Sequence, residues 1–302
     1  MIMQEFRNRF FSLSIPFLVF GVSIFQPSLR PELSPTGDAM RKSASRTELQ
    51  IQGRVVDPKG RPLEYVNIGI PNTLLGTYSD EAGRFSFAVP KSHARDSVKF
   101  SAIGYHTVSR SVGEFVNPTQ ITMHPKQYQL PPATVTAQQG SWKREKIGGW
   151  KSLLPIGVAY FSEEGYQLVT QLRLEVDSAY LEKVRIRINH NPDGGTQARV
   201  RVYDSEGDQP GASLLRRSEI QTLQSGSHWL TFDLTDQHIM VSDAFFVGLE
   251  LMIPPRRSPH IAVRPKKTEA HSWRKSSPQA PWLEDSNHYI MQAIVRYQAD
   301  SR

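Results

Sequence analysis

Gly53-Arg54-Val55-Val56-Asp57-Pro58-Lys59-Gly60-Arg61-Pro62-Leu63 decides the fold of the first third of this chain. Leu49, Ile51 and Val55 lie on alternate positions with polar residues between them, the period of a strand with one buried face. Asp57-Pro58-Lys59-Gly60 then makes a turn, because Pro58 presets its own φ and Gly60 tolerates a positive one. Outward from this stretch the pattern repeats. Val66, Ile68 and Ile70 alternate until Pro71-Asn72 ends the run, and Tyr78-Ser79-Asp80-Glu81-Ala82-Gly83 reads as a hairpin tip leading to Phe85, Phe87 and Val89. Val98 and Phe100 begin a further strand, and Ile103-Gly104-Tyr105 leads to the next. Short strands at intervals of roughly 8–12 residues, with turn signals between them, specify a β-sandwich.

Gly53-x-Val55, Gly60-x-Pro62-Leu63, Val66-Asn67-Ile68, Gly76-Thr77, Asp80-x-x-Gly83-x-Phe85 and Ile103-Gly104-Tyr105 together resemble the carboxypeptidase-regulatory-like domain. That resemblance implies a seven-stranded prealbumin-like sandwich over residues 47–126, a module common in the envelope proteins of gram-negative bacteria and in the N-terminal extensions of TonB-dependent glycan transporters. It implies no peptidase activity. In metallocarboxypeptidases a separate domain beginning with His-x-x-Glu holds the zinc, and none of the nine histidines here has Glu three residues later.

At 302 residues the chain has room for two compact domains. With no cysteine it has no disulfide framework, no thiolate metal site and no residue for lipoprotein acylation. Arg7 and Arg9 precede the mostly apolar run 10–25, so residues 1–25 read as a secretory signal peptide, with an uncleaved anchor as the alternative. Residues 26–46, rich in Pro, Ser, Thr and Arg, read as a disordered leader. The expected address is the periplasm or the outer membrane, with membrane association through a partner or through the N-terminal segment.

The formal charge of +7 is unevenly placed: residues 1–46 carry +3, 47–126 carry +2, 127–150 carry +2, 151–252 carry −5 and 253–302 carry +5. A nucleic-acid binder concentrates its cations on the folded surface that makes contact, so this distribution argues against nucleic acid as a partner.

Residues 127–150 read as a linker, extended and proline-punctuated over Tyr128–Ala137 and polar over Gln138-Gln139-Gly140-Ser141. Transporter relatives carry a similar segment before their plug, but too few residues follow here for a barrel. From Tyr166 the strand signal returns. Leu172, Leu174 and Val176 alternate, then Val184, Ile186 and Ile188, then Val200 and Val202, then Leu230, Phe232 and Leu234. Arg173, Arg185, Arg187, Arg199 and Arg201 are their outward neighbours in a hydrophobic-in, polar-out pattern. Phe245–Leu251 reads as a central strand and Tyr289–Tyr297 as the closing one, giving a jelly-roll-like sandwich over 151–302. The series Val202-Tyr203, Gly207-x-x-Pro210-Gly211, Leu214-Leu215, Trp229–Leu234 and Phe246–Leu249 is similar to the non-catalytic sandwich modules appended to secreted glycan-active or adhesive proteins. The fold class expected for the whole chain is all-β.

Candidate chemistry is sparse. Asp204, Glu206 and Asp208 around Gly207 offer oxygen ligands for calcium, but no bidentate acid follows at the needed spacing, so they read as a solvated hairpin tip. Glu163-Glu164 are adjacent on a strand and face opposite ways, so they cannot flank one bond. No serine, acid or second histidine falls in register with His190 or His228, and neither a Gly-x-Ser-x-Gly elbow nor a phosphate-binding glycine loop occurs. No catalytic residue, metal or cofactor is assigned.

The aromatics say more. Trp142, Trp150, Tyr160, Phe161 and Tyr166 cluster before the second sandwich, and Trp273-Arg274-Lys275 with Trp282 fall in a late basic stretch. Indole faces stack on sugar rings, and neighbouring Arg or Lys side chains hydrogen-bond hydroxyls or carboxylates. Trp273, Arg274, Lys275 and Trp282 are therefore the candidate contacts for a glycan or protein partner, against a reading in which the indoles cap the sandwich core. The sequence points to a non-catalytic envelope binding or accessory protein engaging a macromolecule such as an outer-membrane transporter. A glycan-binding protein is the first alternative, and an enzyme with a site assembled across loops is the second.

Overall fold

The computed structural model describes residues 48–115, 119–127, 141–149, 157–160, 165–252, 257–265 and 271–299. The segments read as signal peptide or anchor and as leader, the extended stretch Tyr128–Ala137, Trp150, Phe161 and Glu163-Glu164 lie outside these residues.

The first module has seven strands: β1 (Glu48–Val56), β2 (Asn67–Gly69), β3 (Gly76–Tyr78), β4 (Arg84–Pro90), β5 (Ser97–Ser101), β6 (Val108–Ser111) and β7 (Thr119–Thr122). They form two sheets, β4-β1-β7 and β3-β2-β5-β6. Ile51, Val55, Phe85 and Val89 from one sheet meet Ile68, Val98 and Phe100 from the other in a single apolar cluster. The Phe85 and Phe100 rings sit edge-to-face at 5.4 Å, a favoured aromatic geometry. The opening turn forms as its residues dictate. Asp57 Oδ1 accepts from the Lys59 and Arg61 amides at 2.9 Å, and Gly60 takes φ +77°.

The segment Tyr78–Gly83 departs from the expected hairpin. Its turn is real, closed by Gly83 N–H to Asp80 O at 2.8 Å. The flanking strands do not pair with each other, however, because β3 pairs β2 while β4 pairs β1. The chain crosses here from one sheet to the other. Local turn chemistry is the same in both cases, and the partners are chosen by the neighbouring strands.

The second module comprises β8 (Trp142–Gly148), β9 (Gly157–Tyr160), β10 (Gln167–Asn191), β11 (Gln197–Glu206), β12 (Gln209–Ser213), β13 (Ile220–Thr222), β14 (Gly226–Asp233), β15 (Ile239–Leu251), β16 (His260–Pro265), β17 (Ser272–Lys275), β18 (Leu283–Asp285), β19 (Asn287–Tyr289) and β20 (Met291–Gln298). All thirteen belong to one hydrogen-bonded sheet. Its two layers are joined through the 25-residue β10. The first part of β10 pairs β15 and β17, and its last part pairs β14 and β20. The register shift against β15 between Arg173 and Ser178 marks where the ladder is interrupted. Val184, Ile186, Ile188, Val200, Val202, Phe232 and Leu249 are buried between the layers as the alternation requires. β15 is central, flanked by β11 and β10.

This sandwich begins inside the stretch read as linker. β8 pairs β20 from Trp142↔Gln298 to Gly148↔Gln292, and Ile147 joins the core. Its lysines, arginine and glutamate disguised it, since only one side chain of this edge strand is buried and its other ladder edge is unpaired among the described residues.

A second difference concerns Arg199 and Arg201. Both alternate away from the sandwich core, yet they are only 2% and 5% exposed, because the first module covers that face.

Candidate functional site

A fully buried cluster of ionisable groups lies at the seam between the modules, centred on Glu250. β15 is a nearly continuous apolar run from Phe245 to Leu251, and Glu250 is its one charged residue there, with no exposed surface. Registered beside it are Arg199 of β11 and Gln167 of β10. Arg199 Nε and Arg201 Nε both donate to Glu250 Oε2, at 2.8 and 2.6 Å. Gln167 Nε2 donates to Oε1 at 3.1 Å, and the Tyr78 hydroxyl of β3 donates to that same oxygen. Arg199 also reaches the first module directly, with Nη1 donating to Tyr65 O at 3.1 Å and Nη2 to Asn67 Oδ1 at 2.9 Å. The Tyr65 hydroxyl returns the contact by donating to Gln197 Oε1.

These groups titrate as their surroundings require. Burial on its own would raise the Glu250 carboxyl, but Arg199 and Arg201, as charges and as hydrogen-bond donors, override it and hold the carboxyl down to about 2. The Tyr78 hydroxyl is pushed well above its ordinary value by burial and by the adjacent carboxylate. Burial also raises Tyr203. Glu250 is thus an enclosed acceptor that is ionised at neutral pH. With no exposed surface, it receives donors from both modules, Arg199, Arg201 and Gln167 of the second and Tyr78 of the first.

Three of the four candidate contact residues border the seam. Trp273 is 8% exposed, packed with Val169, Tyr203 and Phe246, and its Nε1 donates to Asp208 O at 2.7 Å. Trp282 is partly buried and meets Tyr203 edge-to-face at 5.6 Å. Lys275 places its Nζ 4.3 Å from the centre of the Trp282 ring. Burial first, and Arg201 second, lower this ammonium to about 8. Arg274 points elsewhere: its side chain is 44% exposed and its Nε lies 3.6 Å from Asp285 Oδ2. Trp273, Trp282 and Lys275 are brought together, but Trp273 offers its ring to the interior and its N–H to a backbone carbonyl.

The remaining candidates stay apart. Glu206 and Gln209 close the β11–β12 hairpin around Gly207-Asp208. No group of three or more His, Cys, Asp or Glu side chains among the described residues is arranged to hold a metal ion. His190 pairs across the sheet with His260, their rings 5.6 Å apart. Burial and then His190 lower the His260 ring. His228 is likewise lowered by burial and then by Arg187.

Sequence reading missed Glu250 and the true position of Arg199 and Arg201. A signal for them existed, because a lone carboxylate inside a buried strand requires a cationic partner.

Fold and seam together define an all-β protein of two interlocked sandwich modules. Residues 51–140 match the family model described as CarboxypepD_reg-like domain, so the first module is a CarboxypepD_reg-like domain. The match extends beyond residue 126, where the module was expected to end, into residues outside those described. No curated protein matches the chain. Among solved structures, the cysteine protease and lectin-like domains of Cwp84, a surface layer associated protein of Clostridium difficile, align with a TM-score of 0.39 at 9% identity, covering 73% of this chain and 48% of that one. A second structure of the clostridial cysteine protease Cwp84, after propeptide cleavage, aligns with a TM-score of 0.37 at 10% identity, covering 74% and 54%. The chain spans about half the length of these structures.

Proposed function

We propose that this chain is a non-catalytic accessory protein of the cell envelope, in which a CarboxypepD_reg-like domain and a second sandwich act as one rigid body that engages an envelope macromolecule. The observation that carries this reading is the engagement of Glu250 by Arg199, Arg201, Gln167 and Tyr78. Enzymes concentrate perturbed ionisable groups in accessible clefts. In this protein the buried group of Glu250, Arg201 and Tyr78 lies where it fastens module to module. Interlocking also supports a binding role, since a surface held rigid loses less entropy on association. The periplasm or outer membrane is the proposed location, on the basic-then-apolar N-terminal sequence.

The test is purification of the tagged protein from native envelope fractions in mild detergent, with identification of what co-purifies. A stoichiometric envelope partner is expected. Turnover of an envelope substrate by the purified protein would overturn the reading.

A further inference from the structure

The outer face of the layer β14-β10-β20-β8 carries chemistry that neither the seam nor the candidate tryptophans use. Arg185 and Arg187 alternate on β10, about 6.5 Å apart on one side of the sheet. Trp229 of β14 is registered opposite Arg187. The Arg185 guanidinium carbon lies 4.9 Å from the centre of the Trp229 ring, and that of Arg187 lies 5.9 Å away. All three side chains are partly exposed.

The neighbouring cations on this face differ in one respect. Lys183 is paired with Asp233 at 2.9 Å, and Arg144 and Arg296 share Glu182 at 2.8 and 3.2 Å. Arg185 and Arg187 instead donate to neutral oxygens, Gln292 Oε1 at 3.3 Å and Ser227 Oγ at 2.9 Å. Each guanidinium has five donors, and no carboxylate of the described residues pairs with either. With Lys146 exposed on β8, six cations on this face meet two carboxylates. The face is therefore cationic, although residues 151–252 are acidic as a whole.

We propose that Trp229, Arg185 and Arg187 form a docking surface for an acidic polysaccharide. The indole would stack on the apolar face of a sugar ring, and the two guanidinium forks would pair with the carboxylates of uronate units. Charge complementarity selects an anionic occupant. The pairing of one indole with two forks on an open sheet suits a chain of rings that each carry an acid group. This proposal rests on the reading of the chain as a non-catalytic envelope binding protein, and it names the ligand class.

The experiment uses the whole chain with polygalacturonate as the probe and uncharged dextran as the control, by affinity electrophoresis and calorimetry at two salt concentrations. Binding to polygalacturonate but not dextran is expected, weakening as salt rises. The double variant Arg185→Gln/Arg187→Gln and the single variant Trp229→Ala should each lose at least tenfold in affinity with an unchanged thermal midpoint. Lys59→Gln/Lys91→Gln removes equal charge from exposed sites of the first module and should bind as the parent does. Equal losses in both double variants would reduce the effect to net charge and overturn the proposal. So would single-stranded DNA or anionic vesicles binding as tightly as the polyuronate, or no binding to the probe at all. Retention of an envelope partner by a protein that ignores polygalacturonate would sink this inference and leave the accessory reading standing. Turnover of an envelope substrate would sink the accessory reading itself.

Discussion

The Tyr78 hydroxyl donates a hydrogen bond to the Glu250 carboxylate across 172 residues of sequence, joining a strand of one sandwich to a central strand of the other. Both groups are buried, and Arg199 ties the same carboxylate to Tyr65 O and Asn67 Oδ1 of the first module. The two modules are thus held by a charged network in which every partner depends on the others.

Removing the centre of that network leaves two guanidiniums buried without an anion. Glu250→Gln is expected to cost about 3–5 kcal/mol, the cost of breaking a buried pair by deleting one member. Tyr78→Phe, which removes one hydrogen bond to a charged group, should cost about 1.5–3 kcal/mol. Urea unfolding followed by far-UV circular dichroism measures both. A change below about 1 kcal/mol in the Gln variant would mean that the seam does not carry stability.

The same carboxylate gives a pH dependence of defined sign. Its folded value of about 2 lies below the ordinary value, so the unfolded state binds the proton more readily in between. The stabilisation is complete above about pH 4.5 and is lost as the pH falls toward 2. Unfolding free energies of the parent and of Glu250→Gln, measured from pH 7 downward, should converge at the acid end. A constant gap would contradict this assignment.

Lys275 acts in the opposite sense. Burial, with Arg201 next, lowers its ammonium to about 8, so below that pH the folded state carries a charge it disfavours. Between about pH 8 and 10 the unfolded chain holds the proton more tightly, and stability contributed by this group rises with pH. Lys275→Met should remove that rise and be more stable than the parent at pH 7. Identical pH profiles for the two proteins would refute it.

Trp273 and Trp282 should separate on truncation. Trp273→Ala opens a cavity among Val169, Tyr203 and Phe246 and strands Asp208 O, for an expected loss of about 3–5 kcal/mol. Trp282→Ala forfeits an edge-to-face contact and a cation–π contact, on the order of 1–2 kcal/mol. Thermal melts of both variants decide it. A native-like melt for Trp273→Ala would return that indole to the candidate binding surface.

Gly83 sits at φ +74°, and an added Cβ would come within 2.4 Å of Val55 O. Gly83→Ala therefore combines backbone strain with a clash at the crossing between the two sheets of the first module. A loss of about 1–3 kcal/mol is expected from chemical denaturation. Retention of the parent midpoint would show that the crossing can relax.

How much was legible beforehand depends on the range of each signal. The alternation of Val184, Ile186 and Ile188 placed the core of β10, and Asp57-Pro58-Lys59-Gly60 placed the first turn, because both effects act over a few residues. The candidate contacts were less legible. Trp273 and Trp282 were distinguishable neither from each other nor from core residues until Asp208 O and Tyr203 stood beside them. Trp229 gave no sign of the two guanidiniums at its ring, since the register of β14 on β10 brings them together.

The sequence by itself determined an all-β chain, because hydrophobic period and turn chemistry are local and the pleat converts them directly into buried and exposed faces; the motifs from Gly53 to Tyr105 carried the resemblance of the first module to its family. Tertiary structure alone decided that Tyr78 and Ser79 lead across to another sheet, that Trp142–Gly148 completes the second sandwich, and that Arg199 and Arg201 face the first module. Alternation states which face of a strand points away from its own core. What covers that face depends on residues far away in the chain, and only the packed fold sets it.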